Sequence, residues 1–250
     1  MKETRILMGM PITVEIPNES MVQNPIDRVF EYFNYVDQKF STYKKESEIS
    51  QINQGLLTEN EYSSDMKQIL AMCEETKALT NGYFDISRNG ILDPSGLVKG
   101  WAIDNATKIL DQFGFNNYYV EAGGDIQVKG NNEKGQFWRI GIRNPFNIKE
   151  VIKIVNVTNQ GIATSGTYIR GQHVYNPFSQ NEKLTEIVCI TVIGTNIYEA
   201  DRFATAAFAM GKEGIEFIDK LHGFAGYMID QKAVATYTNN FEPYIVNLNE

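Results

Sequence analysis

The apolar positions of this chain follow two rhythms. In the first half they recur at helical spacing. The stretch "NPIDRVFEYFNYVDQKF" carries Ile26, Val29, Phe30, Phe33, Val36 and Phe40, which line one side of a helix. Asn24 and Pro25 supply its N-cap and first-turn proline. A second helix is predicted over residues 64–79, with Met66, Ile69, Leu70 and Cys73 periodic and Gly82 beyond its end. A third begins near Lys99 and carries Ala102, Ile103, Ala106, Ile109, Leu110 and Phe113, with Gly114 as its stop. Residues 6–16 alternate around Pro11 and predict a first strand.

From residue 118 the repeat shortens to two. "YYVEAG", "DIQVKG", "FWRIGIR" and "VIKIVNV" read as short strands separated by turn residues. "EIVCITVIG" is a buried strand. Helices follow over 198–210 and 213–221, and "AGYMID" and "AVATYT" close as a hairpin about Gln231 and Lys232. Helices gather early and strands late, so the class is α+β with largely antiparallel sheets and packed helices. No linker or internal repeat divides residues 1–250, which predicts a single domain.

Composition narrows the function classes. With 250 residues and 42% hydrophobic content the chain can bury a large core. Its net charge of −8 and lack of a basic stripe exclude nucleic acid as the main partner. A phosphate ligand must then be held locally. Cys73 and Cys189 sit in apolar contexts and read as small buried hydrophobes, with no zinc spacing. "MKETRILMGMPITVEI" has no apolar signal region, and no run is long enough to span a bilayer, so a cytoplasmic protein with no membrane partner is expected.

Several stretches carry candidate chemistry. "ILDPSGLVKGWAID" sets Asp93, Gly96, Lys99 and Gly100 at a predicted strand-to-helix junction, where glycine N–H groups and a lysine receive anions. It is not a P-loop, and a tight turn with a surface lysine fits those residues equally well. "EADRFATAAFAMG" places Asp201 and Thr205 four apart on one helix face, as hard oxygen donors for Mg2+. Taken alone, an exposed aspartate at a helix N-terminus is the commoner reading. In "GIATSGTYIRGQHVYNP", Thr164, Ser165 and Gly166 read as a small polar turn able to present N–H groups to phosphate. His173, one of two histidines, lies beside Asn176 and Pro177 where a general base is useful. In "VEAGGDIQ", Gly123 and Gly124 allow close backbone approach or a bulge before Asp125 restarts a strand. Tyr43, Tyr83 and Phe84 offer flat rings for a planar heterocycle.

The order of these blocks carries more than any one of them. "MGMP", "FSTYKKESEISQIN", "GYFDIS", "DPSGLVKGWAID", "EAGGDI", "ATSGTYIR…HVYNP" and "EADRFATAAFAMG" together resemble the FAD:protein FMN transferase (ApbE) family, over about residues 8 to 211. The resemblance implies two intimate subdomains with the active site between them. It implies FAD as substrate, Mg2+ as cofactor, and a target flavoprotein whose threonine or serine hydroxyl receives FMN as AMP leaves. Some members of the family instead hydrolyse FAD to FMN and AMP, and a non-catalytic FAD-binding module is a third possibility. By resemblance, Tyr43 packs on the isoalloxazine and Met8 begins a flavin-contacting block. Tyr83, Phe84 and Asp85 resemble the adenosine-side segment. Asp93 and Lys99 resemble the FAD-contacting pair, with Ser165 and Tyr175 further contacts. Gly96 (through its carbonyl), Asp201, Ala204 and Thr205 resemble the magnesium ligands, and His173 the catalytic base. The chain departs from the family pattern at Met10, Glu121 and Asn176, where threonine, asparagine and aspartate are usual.

Overall fold

The computed structural model describes residues 1–18, 23–167, 174–179 and 184–246. The first strand of the sequence reading is in fact a hairpin of β1 (Lys2–Leu7) and β2 (Met10–Glu15), with Leu7 opposite Met10. Met8 and Gly9 both take positive φ, 53° and 70°, the two-residue turn whose twist matches that of its strands. Then come α1 (Gln23–Phe40), α2 (Glu48–Asn53) and α3 (Ser64–Leu79). Ser63 caps α3, its Oγ accepting from Met66 N–H at 3.2 Å. The short α2 had no periodic signal. It is nucleated by Ser47, whose Oγ accepts from Ser50 N–H at 3.2 Å.

A small hairpin, β3 (Ser87–Arg88) and β4 (Ile91–Leu92), leads into α4 (Ser95–Gln112). The remaining elements are β5 (Tyr118–Ala122), β6 (Asp125–Lys129), β7 (Trp138–Asn144), β8 (Asn147–Val157), β9 (Gly161–Gly166), β10 (Ile187–Gly194), α5 (Ile197–Ala209), α6 (Gly214–Asp219), β11 (Ala225–Asp230) and β12 (Ala235–Tyr237).

Eight strands form one antiparallel sheet in the order β1-β2-β5-β6-β9-β10-β11-β12, while β7 and β8 pair as a separate hairpin. The sheet divides two cores, and strand alternation assigns residues between them. Ala163, Ile190, Val192 and Met228 face a core shared with Phe30, Phe33, Ile103 and Phe208 of the helices. Their neighbours Ile162, Cys189, Ile193, Tyr227 and Ile229 face Trp138, Ile140, Val155 and Phe241 on the hairpin side.

Thr164 and Ser165 are strand residues, not a turn, opposite Thr191 and Ile190 of β10. The pairing with β10 overrides the turn preference of a Thr-Ser-Gly run. The pattern then separates the two side chains. Thr164 Oγ1 meets Thr191 Oγ1 at 2.8 Å, whereas Ser165 turns to the helix side. Among the described residues no helix is long and apolar enough to cross a membrane.

Candidate active site

Helices α4 and α5 cross antiparallel on the helix side of the sheet, and two glycines set their separation. A Cβ on Gly100 would lie 2.7 Å from Asp201 Cβ and 2.8 Å from the Ile197 carbonyl oxygen. One turn earlier, a Cβ on Gly96 would lie 3.0 Å from Thr205 Cγ2. The sequence reading placed these glycines ahead of the helix; they lie inside it, because α4 starts at Ser95. Gly96 stands in the first turn, whose N–H groups face the helix entrance, but Gly100 lies a turn further in and its N–H is not available to an anion there. Gly100 N–H instead donates to Asp201 Oδ2 at 2.8 Å. The entrance is held by Asp93, whose Oδ1 accepts from Ser95 N–H at 3.0 Å.

Between α5 and β6 lies a buried charge cluster. Lys99 Nζ sits 2.5 Å from Asp125 Oδ2 and 3.8 Å from Asp201 Oδ1. Both aspartates are nearly sealed from solvent, at 1% and 2% exposure. Asp125 Oδ1 accepts from Thr164 N–H at 3.1 Å. Its Oδ2 faces the lysine but is, among the described residues, a buried oxygen without a hydrogen bond. Burial pushes the Asp201 carboxyl above its usual range, and Asp125 adds to this, while Lys99 and the Gly100 N–H oppose it. Two buried carboxylates thus share one ammonium.

The oxygens beside this cluster suit a hard cation. Thr205 Oγ1 donates to the Gly96 carbonyl at 3.2 Å and lies 3.5 Å from Ser165 Oγ. Asp201 stands one turn before Thr205, with Ala204 buried between them in sequence. Among the described residues no three His, Cys, Asp or Glu side chains gather as a metal cluster. What is present is one carboxylate, a hydroxyl and a carbonyl, a donor set that fits Mg2+ completed by phosphate and water better than it fits zinc. The orphaned Asp125 Oδ2 agrees with that fit.

Two walls flank the cluster. Met8, Tyr43, Ser95 and Lys99 line a small cleft of about 90 Å³, and Tyr43 is 96% exposed. On the other side, the Tyr175 hydroxyl reaches the carbonyl oxygens of Asp85 and Ser87 at 3.0 and 2.9 Å. Burial pushes the Tyr175 phenol up to about 12, so it remains a donor. Asp85 pairs with Lys77 at 2.8 Å, and the Tyr83 ring stands edge-on to Phe178 at 5.0 Å. Phe84 is buried, and its Cε2 approaches the Gly96 position. Gly96, Lys99, Ser165, Asp201 and Thr205 thus converge, with Tyr43 and Met8 beside Lys99 and Phe84 beside Gly96. His173 lies outside the described residues.

Asp125 is the site residue the sequence reading did not single out. Its signal was a carboxylate directly after two glycines, at the head of a strand otherwise buried on both faces. A cavity of about 820 Å³ lies away from these charges, across the sheet beside β7. It meets the site only at the sheet's end, through Met10 and the Gly123–Gly124 turn.

The chain as a whole is similar to known proteins. The model of the ApbE family matches residues 8–92 and 87–229. The FAD:protein FMN transferase of Vibrio cholerae is 28% identical, over 79% of this chain and 76% of its own. That of Chlamydia muridarum is 25% identical, over 92% and 88%. Among solved structures, the flavin transferase ApbE from Vibrio cholerae superposes with a TM-score of 0.84 at 23% identity, covering 98% of each chain. The ApbE protein from Thermotoga maritima gives 0.85 at 20% identity over 99% of each. The fold is therefore shared across nearly the whole length, and the chain belongs to the ApbE family.

Proposed function

We propose that this chain is an FAD:protein FMN transferase, acting as one domain, that moves FMN from FAD to a threonine or serine hydroxyl of a target flavoprotein. The observation that carries this reading is the buried Lys99–Asp125–Asp201 cluster set against Thr205 and the Gly96 carbonyl. It pairs a cation for phosphate with an oxygen set for a metal, in a family whose named members transfer FMN.

The chemistry follows from the groups. The anionic diphosphate of FAD repels a nucleophile, so charge must be neutralised before attack. Lys99 binds the phosphate oxygens as a point charge. Asp201, Thr205, the Gly96 carbonyl and the backbone at Ala204 hold Mg2+, which when bound supplies further neutralisation of the diphosphate. Met8 and the exposed Tyr43 ring form the flavin platform. Tyr83, Phe84, Asp85, Asp93 and Tyr175 line the adenosine side, and Ser165 faces the reacting phosphates. His173 takes the proton of the acceptor hydroxyl, a step worth typically ~10²–10⁴-fold. The hydroxyl oxygen bonds to the FMN phosphorus, the P–O bond to the AMP phosphate breaks, and AMP leaves with that electron pair.

The test is incubation with FAD, Mg2+ and an acceptor flavoprotein, following AMP and covalent flavin together. Equal amounts of both are expected. AMP without covalent flavin assigns the site to FAD hydrolysis, and bound FAD with neither product makes the chain a flavin carrier.

A further inference from the structure

Among the described residues, the hydrophobic core on the second face of the main sheet draws on only part of the sheet. The β7–β8 hairpin packs over residues of β6, β9, β10 and β11, while β1 and β2 give no buried residue to that core. Between that end of the sheet and β7 lies the 820 Å³ cavity, with Tyr119 and Glu121 on one wall and Arg139 and Arg143 on the other. Met10 lines both this cavity and the Tyr43–Lys99 cleft. Gly123 and Gly124, on its rim, lead directly to Asp125. Met10 thus stands between the cavity and the candidate active site at the end of the sheet.

Its chemistry points to an extended acidic peptide. Among the described residues β7 pairs only with β8, so its other edge offers unpaired backbone groups to an added strand. The hairpin carries Arg139, Arg143, Lys149 and Lys153 against the single Glu150, in a chain of net charge −8. Among the described residues neither Arg139 nor Arg143 makes a side-chain hydrogen bond or ion pair. The cavity's own carboxylates are engaged: Glu15 with Lys2 at 3.0 Å, and Glu121 with Gly124 N–H at 2.9 Å. At the hairpin tip Phe146, Ile148 and Val151 are 54%, 55% and 54% exposed, an apolar surface of the kind that marks interaction sites.

We propose that this cavity is where the acceptor protein docks. A segment of the acceptor lies extended along the free edge of β7, its carboxylates against Arg139 and Arg143 and an apolar flank over the hairpin tip. It delivers its hydroxyl past Met10 to the Lys99 site. The proposal rests on the transferase reading. A basic hairpin with an apolar tip also suits an anionic membrane, but the position of Met10 between cavity and active site favours the protein substrate.

The test uses the FAD-loaded full chain with Mg2+ and two short synthetic peptides. One has a central threonine flanked by aspartates and leucines; the other has lysines in place of the aspartates. Binding is read by fluorescence anisotropy, covalent flavin by in-gel fluorescence and FAD affinity by flavin quenching, for the wild type and the Arg139→Glu/Arg143→Glu variant. The acidic peptide is expected to bind at least about tenfold more tightly than the basic one, and the variant to lose about tenfold in its binding with FAD affinity unchanged. Equal binding of both peptides, or indifference to the variant, overturns the proposal. So does a parallel loss of FAD affinity, which would give the cavity to the nucleotide. Arginine-dependent binding to phosphatidylglycerol vesicles without peptide binding overturns it in favour of a membrane. Peptide binding that follows the arginines without any covalent flavin leaves the docking surface standing and removes the transferase reading.

Discussion

The Gly100 amide donates a 2.8 Å hydrogen bond to Asp201 Oδ2, joining residues 101 apart in sequence. Asp201 is thereby oriented by the backbone of the helix that carries Lys99. One oxygen is committed to the fold, and the other faces the lysine at 3.8 Å. The absence of a side chain at Gly100 is what lets the two helices come close enough for this bond.

Gly100→Ala tests that contact. The added methyl meets Asp201 Cβ and the Ile197 carbonyl oxygen, and neither is the free end of a flexible side chain. A loss of about 1–3 kcal/mol is expected in denaturant unfolding. Turnover should fall further than the fraction unfolded, because Asp201 and Lys99 part. Wild-type stability in this variant would refute the close crossing.

Asp201 predicts how metal binding responds to pH. Burial, more than any other cause, raises its pKa above the ordinary 3.8. With the folded value raised, the folded chain holds this proton more tightly than the unfolded one. The group's stabilising contribution is therefore complete below the ordinary value and is lost as pH rises through the raised one. Metal binding needs the carboxylate and so expels the proton. Mg2+ affinity, measured by calorimetry, should strengthen by up to about tenfold per pH unit as pH rises toward the raised value of about 8. Asp201→Asn should lose that affinity while the metal-free variant unfolds at or above the wild-type midpoint at neutral pH. A metal affinity flat with pH would remove Asp201 from the ligand set.

Lys99, the phosphate-binding cation of the proposed function, is also bound to the fold. Lys99→Met leaves Asp125 and Asp201 buried and facing each other without a cation. Breaking a buried pair from one side costs about 3–5 kcal/mol, and the 15% exposure of the lysine side chain places this case toward the lower end. Adding Asp125→Asn should restore most of the stability in a double-mutant cycle while FAD affinity stays low. If the double variant is no more stable than Lys99→Met, the two side chains are not coupled.

Arg202 is a control on the same helix. It is buried, bonds Glu199 through both oxygens at 2.7 and 2.9 Å, and reaches Thr76 of α3 at 3.1 Å. Arg202→Met should cost about 1–3 kcal/mol by leaving these groups unpaired. Turnover per folded molecule should stay unchanged, since this face of α5 points away from Lys99. A specific loss of turnover would extend the active site to Arg202.

The sequence by itself determined what depends on neighbours along the chain. The apolar repeat of α1 and α3, the glycine stop at Gly114 and the two-residue alternation of β5 to β8 are local, and the α+β class follows from their order. The Asp201–Thr205 pair was legible for the same reason, because a four-residue spacing on a helix is one face. Three features were settled only by tertiary structure. Glycine lacks a Cβ whether it makes a turn or a helix crossing, so "DPSGLVKG" did not reveal that Gly96 and Gly100 lie inside α4 against α5. The Thr164–Ser165 run has turn residues, but pairing with β10 makes it a strand and sends the two hydroxyls to opposite faces. Asp125 becomes part of the charge cluster only because the sheet order sets β6 beside β9 and beneath α5. Electrostatic coupling depends on distance in space, which the positions of Lys99, Asp125 and Asp201 along the chain do not encode.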